Sequence, residues 1–172
     1  SLSVTVLFLR LMRVAINRRK STVTLKEELS YVSDYLEVQK FMMEDRLEVF
    51  FDVEPQAEEC QVPSLLLQPL VENAIFSGIE PGGKNGTIRI RAYEKDKCLC
   101  VDVRDDGIGI PEEKIPELLN HSEKLKGDQM SSIGMPNVDR RLKLIYGEEY
   151  GLSVESQVGE YTQITVRIPL EY

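Results

Sequence analysis

The sequence predicts an α/β protein, because segments with helical spacing alternate with segments that have the two-residue period of strands. Apolar residues recur at helical spacing from residue 24 to about residue 44, and again after Gly134. In residues 46–53 and 98–104 they alternate along the chain instead. With 172 residues the chain can bury one substantial core. We therefore expect one domain with an N-terminal appendage.

Two helices are predicted at the N-terminal end. The first covers residues 3–19, and a short break over residues 20–23 follows it. Thr24 and Glu27 form a capping box, which begins the second helix. The apolar stripe of this second helix runs to about residue 44 and consists of Leu25, Leu29, Val32, Leu36 and Met43. We expect it to pack on a core through this stripe.

Alternation, helical spacing and turn residues predict the remaining elements. In chain order they are a strand over 46–53, a loop over 55–61, a helix over about 65–78, a turn-rich loop over 80–86, strands over 87–94 and 98–104, a short helix over 112–119, a helix from Gly134 to its stop at Gly147, and a hairpin with strands over 152–158 and 161–169. The segment from Asn120 to Ser132 is polar and lacks periodicity, so we interpret it as a candidate lid.

Composition excludes several classes of function. The net charge of −8 argues against broad nucleic-acid binding. Three cysteines, Cys60, Cys98 and Cys100, give no metal-binding spacing and are expected to be buried thiols. His121 is the only histidine, which excludes a histidine-rich metal site. The apolar stretch over residues 2–16 is interrupted by arginines and is too short to span a bilayer.

A carboxylate stands where a predicted strand opens into a glycine turn, in the sequence Asp105-Asp106-Gly107-Ile108-Gly109-Ile110. Glycines permit a positive φ and allow a ligand to approach the backbone closely. A carboxylate only accepts hydrogen bonds, so Asp105 suits an amine donor such as the N6 group of adenine. The alternative is an ordinary hairpin turn, since Asp-Gly is a common turn signal.

A second motif places Glu72 and Asn73 side by side in the mostly apolar helical segment over residues 65–75. Polar pairs in such a helix are costly unless they are satisfied. Carboxylate and amide oxygens suit Mg²⁺, which usually shares its ligand shell with waters and phosphates. The alternative is a solvated edge of an amphipathic helix.

A third motif is a helix start, with Gly134 followed by Met135 and Pro136. A helix N-terminus preceded by glycine favours anions, because its free amides and its dipole both attract phosphate. The alternative is a helix cap with no ligand.

Together these motifs resemble the boxes of the GHKL ATPase superfamily, and most closely those of sensor histidine kinases of the LytS/YehU type. Residues 69–75 resemble the N box, residues 105–110 the G1 box and residues 134–142 the G2 box. Residues 24–29 and 35–39 resemble the segment that precedes the ATPase domain in that family. The resemblance runs from about residue 22 to the C-terminus.

The resemblance implies a two-layer α/β sandwich, in which a mixed sheet is covered on one face by helices and preceded by N-terminal helices. It implies a helical dimerisation or linker segment over residues 1–44 and an ATP-binding catalytic domain over residues 45–172. The helix over 3–19 would end a dimerising helix, although packing on its own domain is an equal alternative.

The resemblance also implies ATP and Mg²⁺ as cofactors and assigns roles to single residues. Asp105 would bind the adenine amine, Asn73 would ligate Mg²⁺, and Glu72 would act in catalysis by supporting the metal or polarising the attacking group. The residues assigned to the nucleotide are Asn73, Asp105, Gly107, Gly109, Ile110, Gly134 and Met135.

The implied activity is transfer of the ATP γ-phosphoryl group to a histidine upstream of this chain, so His121 is not the acceptor. The implied partners are a response regulator and a second copy joined through upstream helices, and a membrane anchor upstream would make this a cytoplasmic domain. Phe76, Ser77 and Ser132 stand where the family usually has Lys, His and Gly. They favour the alternative of a degenerate module that binds nucleotide weakly and signals without catalysis.

Overall fold

The fold is built on a mixed five-stranded sheet in a computed structural model that describes residues 21–120 and 134–172. The strand order is β2-β4-β5-β7-β6, and a separate pair joins β1 to β3. The strands are β1 (Thr22–Thr24), β2 (Leu47–Val53), β3 (Gln61–Pro63), β4 (Gly86–Lys95), β5 (Cys98–Asp105), β6 (Gly151–Gln157) and β7 (Tyr161–Pro169). β2 runs parallel to β4, whereas the other neighbours in this sheet are antiparallel.

The helices are α1 (Leu25–Met42), α2 (Gln68–Asn73), α3 (Ile115–Leu118) and α4 (Gly134–Tyr146). α2 continues without a break as a π-helix over Ala74–Ile79 and a 3₁₀ turn over Glu80–Gly82. Further 3₁₀ turns cover Pro55–Glu59 and Glu112–Lys114. No helix in residues 21–120 or 134–172 is long and apolar enough to cross a membrane.

The predicted cap and stripe of the second helix are confirmed. The Glu27 amide donates to Thr24 Oγ1 at 3.2 Å, so Thr24 caps α1. All five stripe residues are buried in the core. This core lies between the helices and one face of the sheet, to which β4 contributes Ile88, Ile90 and Ala92, while its alternate residues Arg89 and Arg91 are exposed.

The predicted strand pair and hairpin are also present. β4 and β5 pair in antiparallel register with Ile90 opposite Val103, and β6 pairs with β7 around Gly159, which has a φ of +77°. α4 ends at Tyr146, where the Gly147 amide donates to the Lys143 carbonyl at 2.9 Å. The three cysteines are buried free thiols, as expected.

Two predictions from the sequence need correction. The predicted break over 20–23 includes the start of strand β1, and the predicted loop over 55–61 ends where strand β3 begins. These two short strands pair with each other. Strands of three residues are too short to show alternation. The helix predicted from residue 65 begins at Gln68, because Leu65 has a φ of +63° and cannot be helical. The predicted helix over 3–19, His121 and the candidate lid beyond Asn120 lie outside the described residues.

Candidate nucleotide-binding site

Asp105 ends β5 with its side chain buried and only 2% exposed. One carboxylate oxygen accepts a hydrogen bond from the Gly107 amide at 2.9 Å. Burial raises the pKa of Asp105 to about 7, against the smaller lowering effect of the Gly107 amide. A buried acceptor with one amide donor retains capacity to accept from a ligand. The adenine-binding role of Asp105 stays a prediction.

Gly78, which sequence analysis did not select, lies against Asp105. A Cβ at this position would collide with the Asp105 carboxylate. The Gly78 carbonyl also accepts from the Ile108 amide at 2.9 Å, which ties the π-helix to the turn after β5. The resemblance contained a signal for Gly78. In the family a Gly-Ile pair usually follows the Lys and His positions, and Gly78 and Ile79 stand in those places here.

Gly107 and Gly109 are both required by packing within the protein. A Cβ on Gly107 would collide with the Gly78 backbone, and one on Gly109 with the Gln157 carbonyl. Of these two glycines only Gly109 has a positive φ, at +71°. Ile110 is held from the same hairpin, because its amide donates to Ser156 Oγ at 2.8 Å. The turn is therefore fixed between the π-helix and the β6–β7 hairpin.

Thr162 is a second residue that sequence analysis did not find. It lies on β7 directly opposite Asp105 and is 3% exposed. Its hydroxyl is 2.9 Å from Ser156 Oγ. A buried hydroxyl beside a buried carboxylate provides a second polar group at this end of the sheet. No local pattern marks it, because the pairing of β5 with β7 joins residues 57 positions apart.

Asn73 is the last residue of α2, and its side chain is buried with 4% exposure. Its Oδ1 atom has no hydrogen-bond partner among the described residues. A buried amide oxygen without a partner is costly, and it is a ligand type that Mg²⁺ accepts. No group of three or more His, Cys, Asp or Glu side chains in the described ranges could hold a metal. The Asn73 amide oxygen therefore fits an ion whose other ligands are phosphates and water.

Glu72 precedes Asn73 and is half-buried, and its carboxylate accepts from Gln68 Nε2 at 2.8 Å. Glu72 also lies close enough to Tyr35 on α1 for its charge to contribute, after burial, to raising the pKa of that phenol. The neighbours of Glu72 are thus on α1 and α2. Phe76, in the following π-helix, is 45% exposed and so is not a core residue.

The G2 motif forms the start of α4, with Gly134 at its first position and Met135 fully buried. A Cβ on Gly134 would lie 3.1 Å from Pro69 Cβ, so α4 starts beside the start of α2. The helix of the N box therefore contacts the G2 motif at its first turn and the G1 turn at Gly78. All three predicted motifs meet along this one helix.

Residues 63–172 match the family model described as "Histidine kinase-, DNA gyrase B-, and HSP90-like ATPase". The chain belongs to this ATPase family. The segment before the ATPase domain matches separately, since residues 3–47 match the family model described as "Histidine kinase".

Curated relatives of this ATPase-family chain include several sensor histidine kinases. YesM of Bacillus subtilis is 35% identical over 92% of this chain and 26% of its own length. YpdA of Escherichia coli is 36% identical over 86% of this chain and 24% of its own length. LytS of Staphylococcus saprophyticus is 32% identical over 88% of this chain and 25% of its own length. The chain thus spans about a quarter of the length of these relatives.

Solved structures share the fold of this ATPase-family chain at lower identity. The catalytic domain of histidine kinase ThkA is 20% identical with a TM-score of 0.65, covering 86% of this chain and 93% of that domain. Mycobacterial sensor histidine kinase MprB is 17% identical with a TM-score of 0.63, covering 87% and 97%. ThkA in complex with the response regulator protein TrrA covers 95% of this chain and 47% of that chain, with a TM-score of 0.58 and 20% identity.

Proposed function

We propose that this chain is the ATP-binding catalytic part of a two-component sensor histidine kinase. The observation that carries this proposal is the buried Asp105 carboxylate, which faces Gly78 within a domain of the ATPase family. Asp105 accepts from the adenine amine, and Thr162 adds a hydroxyl beside it. Gly107, Gly109 and Ile110 shape the turn that borders the base.

The phosphate end of the nucleotide lies near the helix of the N box in this proposal. Asn73 Oδ1 would hold Mg²⁺, which would neutralise charge on the phosphates. Glu72 supports the metal or polarises the attacking group. The amides around Gly134 and Met135 at the start of α4 face the phosphates, because free N–H groups at a helix start favour anions.

The reaction joins a nitrogen of an upstream histidine to the γ-phosphorus of ATP. The bond from that phosphorus to the bridging oxygen breaks, and ADP leaves. A response regulator then takes the phosphoryl group, and the upstream helices join two copies of the full protein. We propose an ATP-binding domain over residues 45–172 after a helical segment over 1–44, in a cytoplasmic position behind a membrane anchor. The family matches over residues 63–172 and 3–47 support this division by sequence, while α1 shares one core with the sheet.

Substitution of Asp105 tests nucleotide binding directly. Asp105→Ala removes the acceptor for the adenine amine, and we expect the free energy of ATP binding to weaken by about 1.5–3 kcal/mol. Calorimetric titration of both proteins with Mg-ATP measures this loss. Asp96→Ala, on the exposed turn between β4 and β5, is the control and should bind as the unchanged chain does. Equal ATP affinity for Asp105→Ala and the unchanged chain would refute the assignment.

Phosphotransfer separates the kinase from the degenerate module. The chain is mixed with radiolabelled Mg-ATP and the upstream helix of the same protein that carries the acceptor histidine. A kinase labels that helix, and an acceptor in which the histidine is replaced by Ala stays unlabelled. Binding of ATP without any labelling would favour the degenerate module. Phe76 and Ser77, which depart from the family pattern, favour that alternative in the sequence.

A further inference from the structure

Glu28 is a buried carboxylate on the apolar side of α1. Its neighbours Leu25, Leu29 and Val32 all belong to the core, and Glu28 itself is 3% exposed. A carboxylate in such surroundings is expensive unless hydrogen bonds satisfy it. Glu28 must therefore have partners that compensate for its burial.

The partners of Glu28 are three consecutive backbone amides from a distant part of the chain. The Leu65 amide donates to Oε1 at 2.8 Å, and the Leu66 and Leu67 amides donate to Oε2 at 3.2 and 3.4 Å. These residues form the turn that leads into α2, the helix that ends at Asn73. Amides at a helix start lack partners within the helix and favour a negative charge. Glu28 thus caps the helix of the N box from another helix.

The turn that Glu28 holds is strained and has a second anchor. Leu65 has a φ of +63°, which is unfavourable for a residue with a branched side chain. On the opposite side, the Arg141 guanidinium of α4 donates to the Ser64 carbonyl at 2.6 Å. The start of α2 is therefore held between α1 and the helix of the G2 motif.

α1 also reaches the other end of α2. Tyr35 lies two turns beyond Glu28 on the same helix, and it packs against the core. Burial, with a further contribution from the Glu72 charge, raises the pKa of Tyr35. α1 is thus close to the first turn of α2 through Glu28 and to Glu72 through Tyr35.

We propose that Glu28 is a positioning residue for the metal and phosphate end of the nucleotide site. Its carboxylate fixes the turn over residues 65–67, and this turn sets where α2 presents Asn73. The proposal rests on the proposed function, in which Asn73 holds Mg²⁺. It predicts that a change on α1, outside the ATPase-family match, alters the metal-dependent part of ATP binding.

The test substitutes Glu28→Gln, which keeps the shape of the side chain but replaces one acceptor oxygen with a donor. The dissociation constant for ATP is measured with excess Mg²⁺ and with a chelator, and that for adenosine is measured without metal. We expect the Mg²⁺-dependent gain in ATP affinity to fall about tenfold, since charged hydrogen bonds are lost. Adenosine affinity should stay within about twofold, because Asp105 is placed mainly by β5 and the Gly107 amide and not by residues 65–67.

Two further variants make the measurement specific. Glu27→Gln removes a charge at the preceding position, where the side chain is exposed, and should leave all three affinities unchanged. Glu28→Asp keeps the carboxylate and should recover part of the metal-dependent gain. Glu28→Asp is also the variant to measure if Glu28→Gln does not fold. Amide hydrogen exchange should show faster exchange at residues 65–67 in Glu28→Gln but not in Glu27→Gln.

A lower unfolding midpoint with an unchanged Mg²⁺-dependent gain would overturn the proposal and leave Glu28 with a role in stability alone. Failure of both Glu28→Gln and Glu28→Asp to fold would overturn it in the same way. If the unchanged chain shows no Mg²⁺-dependent gain, the proposed metal role of Asn73 fails first. These outcomes keep failure of the positioning role distinct from failure of the proposed function.

Discussion

Asp105 must meet two conflicting demands at one position. It has to be an acceptor in the nucleotide site that we propose, yet its burial against Gly78 favours the protonated form and raises the pKa to about 7. The Gly107 amide offsets part of this effect by donating at 2.9 Å. A donor from a ligand would stabilise the carboxylate further, so this residue is better satisfied with its ligand than without it.

The raised pKa makes stability depend on pH in a definite direction. Between pH 4 and 7 the folded chain keeps a proton on Asp105 that the unfolded chain has lost, so stability falls as pH rises and levels off above pH 7. Asp105→Asn removes this titration. As pH rises through this window, the free energy of unfolding of Asp105→Asn should increase relative to that of the unchanged chain by about 1.4 kcal/mol per pH unit.

Urea denaturation of both proteins at several values from pH 4 to pH 8 measures this difference. Asp96→Asn serves as the control, because its side chain is solvent-exposed on the β4–β5 turn. A constant difference between Asp105→Asn and the unchanged chain across this range would contradict the raised pKa of Asp105.

The Asn73 side chain is buried without full hydrogen bonding from the described residues. Its buried Oδ1 has no partner in the described part of the chain, so removing it costs the folded protein little in hydrogen bonding. We expect Asn73→Ala to weaken ATP binding by about tenfold with Mg²⁺ and by less than about twofold with a chelator. Titrations under both conditions decide this, and an equal loss in both would mean that Asn73 only supports the helix.

At the scale of elements, the helix of the N box departs from regular geometry just where the motif residues lie. The α-helix ends at Asn73, a π-helix covers Ala74–Ile79, and a 3₁₀ turn follows. π-Helical segments are frequent at functional sites, because they change the direction of side chains along a helix. Here the π-helix brings Gly78 against Asp105.

Phe76 is the strongest departure of this element from the family pattern, which has Lys there. Its 45% exposure shows that the ring is not core, so a charged side chain can replace it without unfolding the domain. We expect Phe76→Lys to raise ATP affinity about three- to tenfold, ADP affinity less and adenosine affinity not at all. The gain should shrink with rising salt, because the new charge is partly exposed.

Calorimetry with the three ligands at low and high salt tests the effect of Phe76→Lys. Phe41→Lys is the control, because Phe41 is 62% exposed at the end of α1 and belongs to none of the three motifs. An unchanged affinity for all three ligands would show that residue 76 does not lie beside the phosphates.

At the scale of the whole molecule, α1 and the sheet share one core. Leu25, Val32 and Leu36 of α1 are at most 1% exposed, and the Leu25 amide donates to the Cys60 carbonyl at 2.8 Å. β1 adds a pairing with β3, and the Gln61 amide donates to the Glu171 carbonyl at 2.6 Å near the C-terminus. Residues 21–62, which precede the ATPase-family match, are thus packed into the same body.

This packing predicts the outcome of a truncation. Residues 45–172 alone should be much less stable than residues 21–172, because each buried Leu or Val side chain of α1 contributes about 1.5–3 kcal/mol. Thermal denaturation followed by circular dichroism compares the two. Closely similar midpoints would show that residues 45–172 form an independent domain and that α1 only rests on it.

Local patterns were sufficient for most of the elements and for the motif residues. Thr24 caps α1, β4 pairs with β5, and Gly147 ends α4, because caps, alternation and stops depend on neighbouring residues. Asp105 and Asn73 could also be selected from the sequence, because the polar pair in an apolar helix, the acidic glycine turn and the glycine helix start occur together and in that order.

Only the tertiary structure decided which groups satisfy these residues. Glu28 reads in the sequence as one more acidic residue of an amphipathic helix, yet it holds three amides that are 37–39 positions away. Gly78 contacts Asp105, and Thr162 lies opposite it on β7, through packing and strand register that no local window contains. The sequence by itself therefore determined the elements and the chemical types at the site. Buried polar groups are destabilising without hydrogen-bond partners, and only the folded chain brings the distant partners to them.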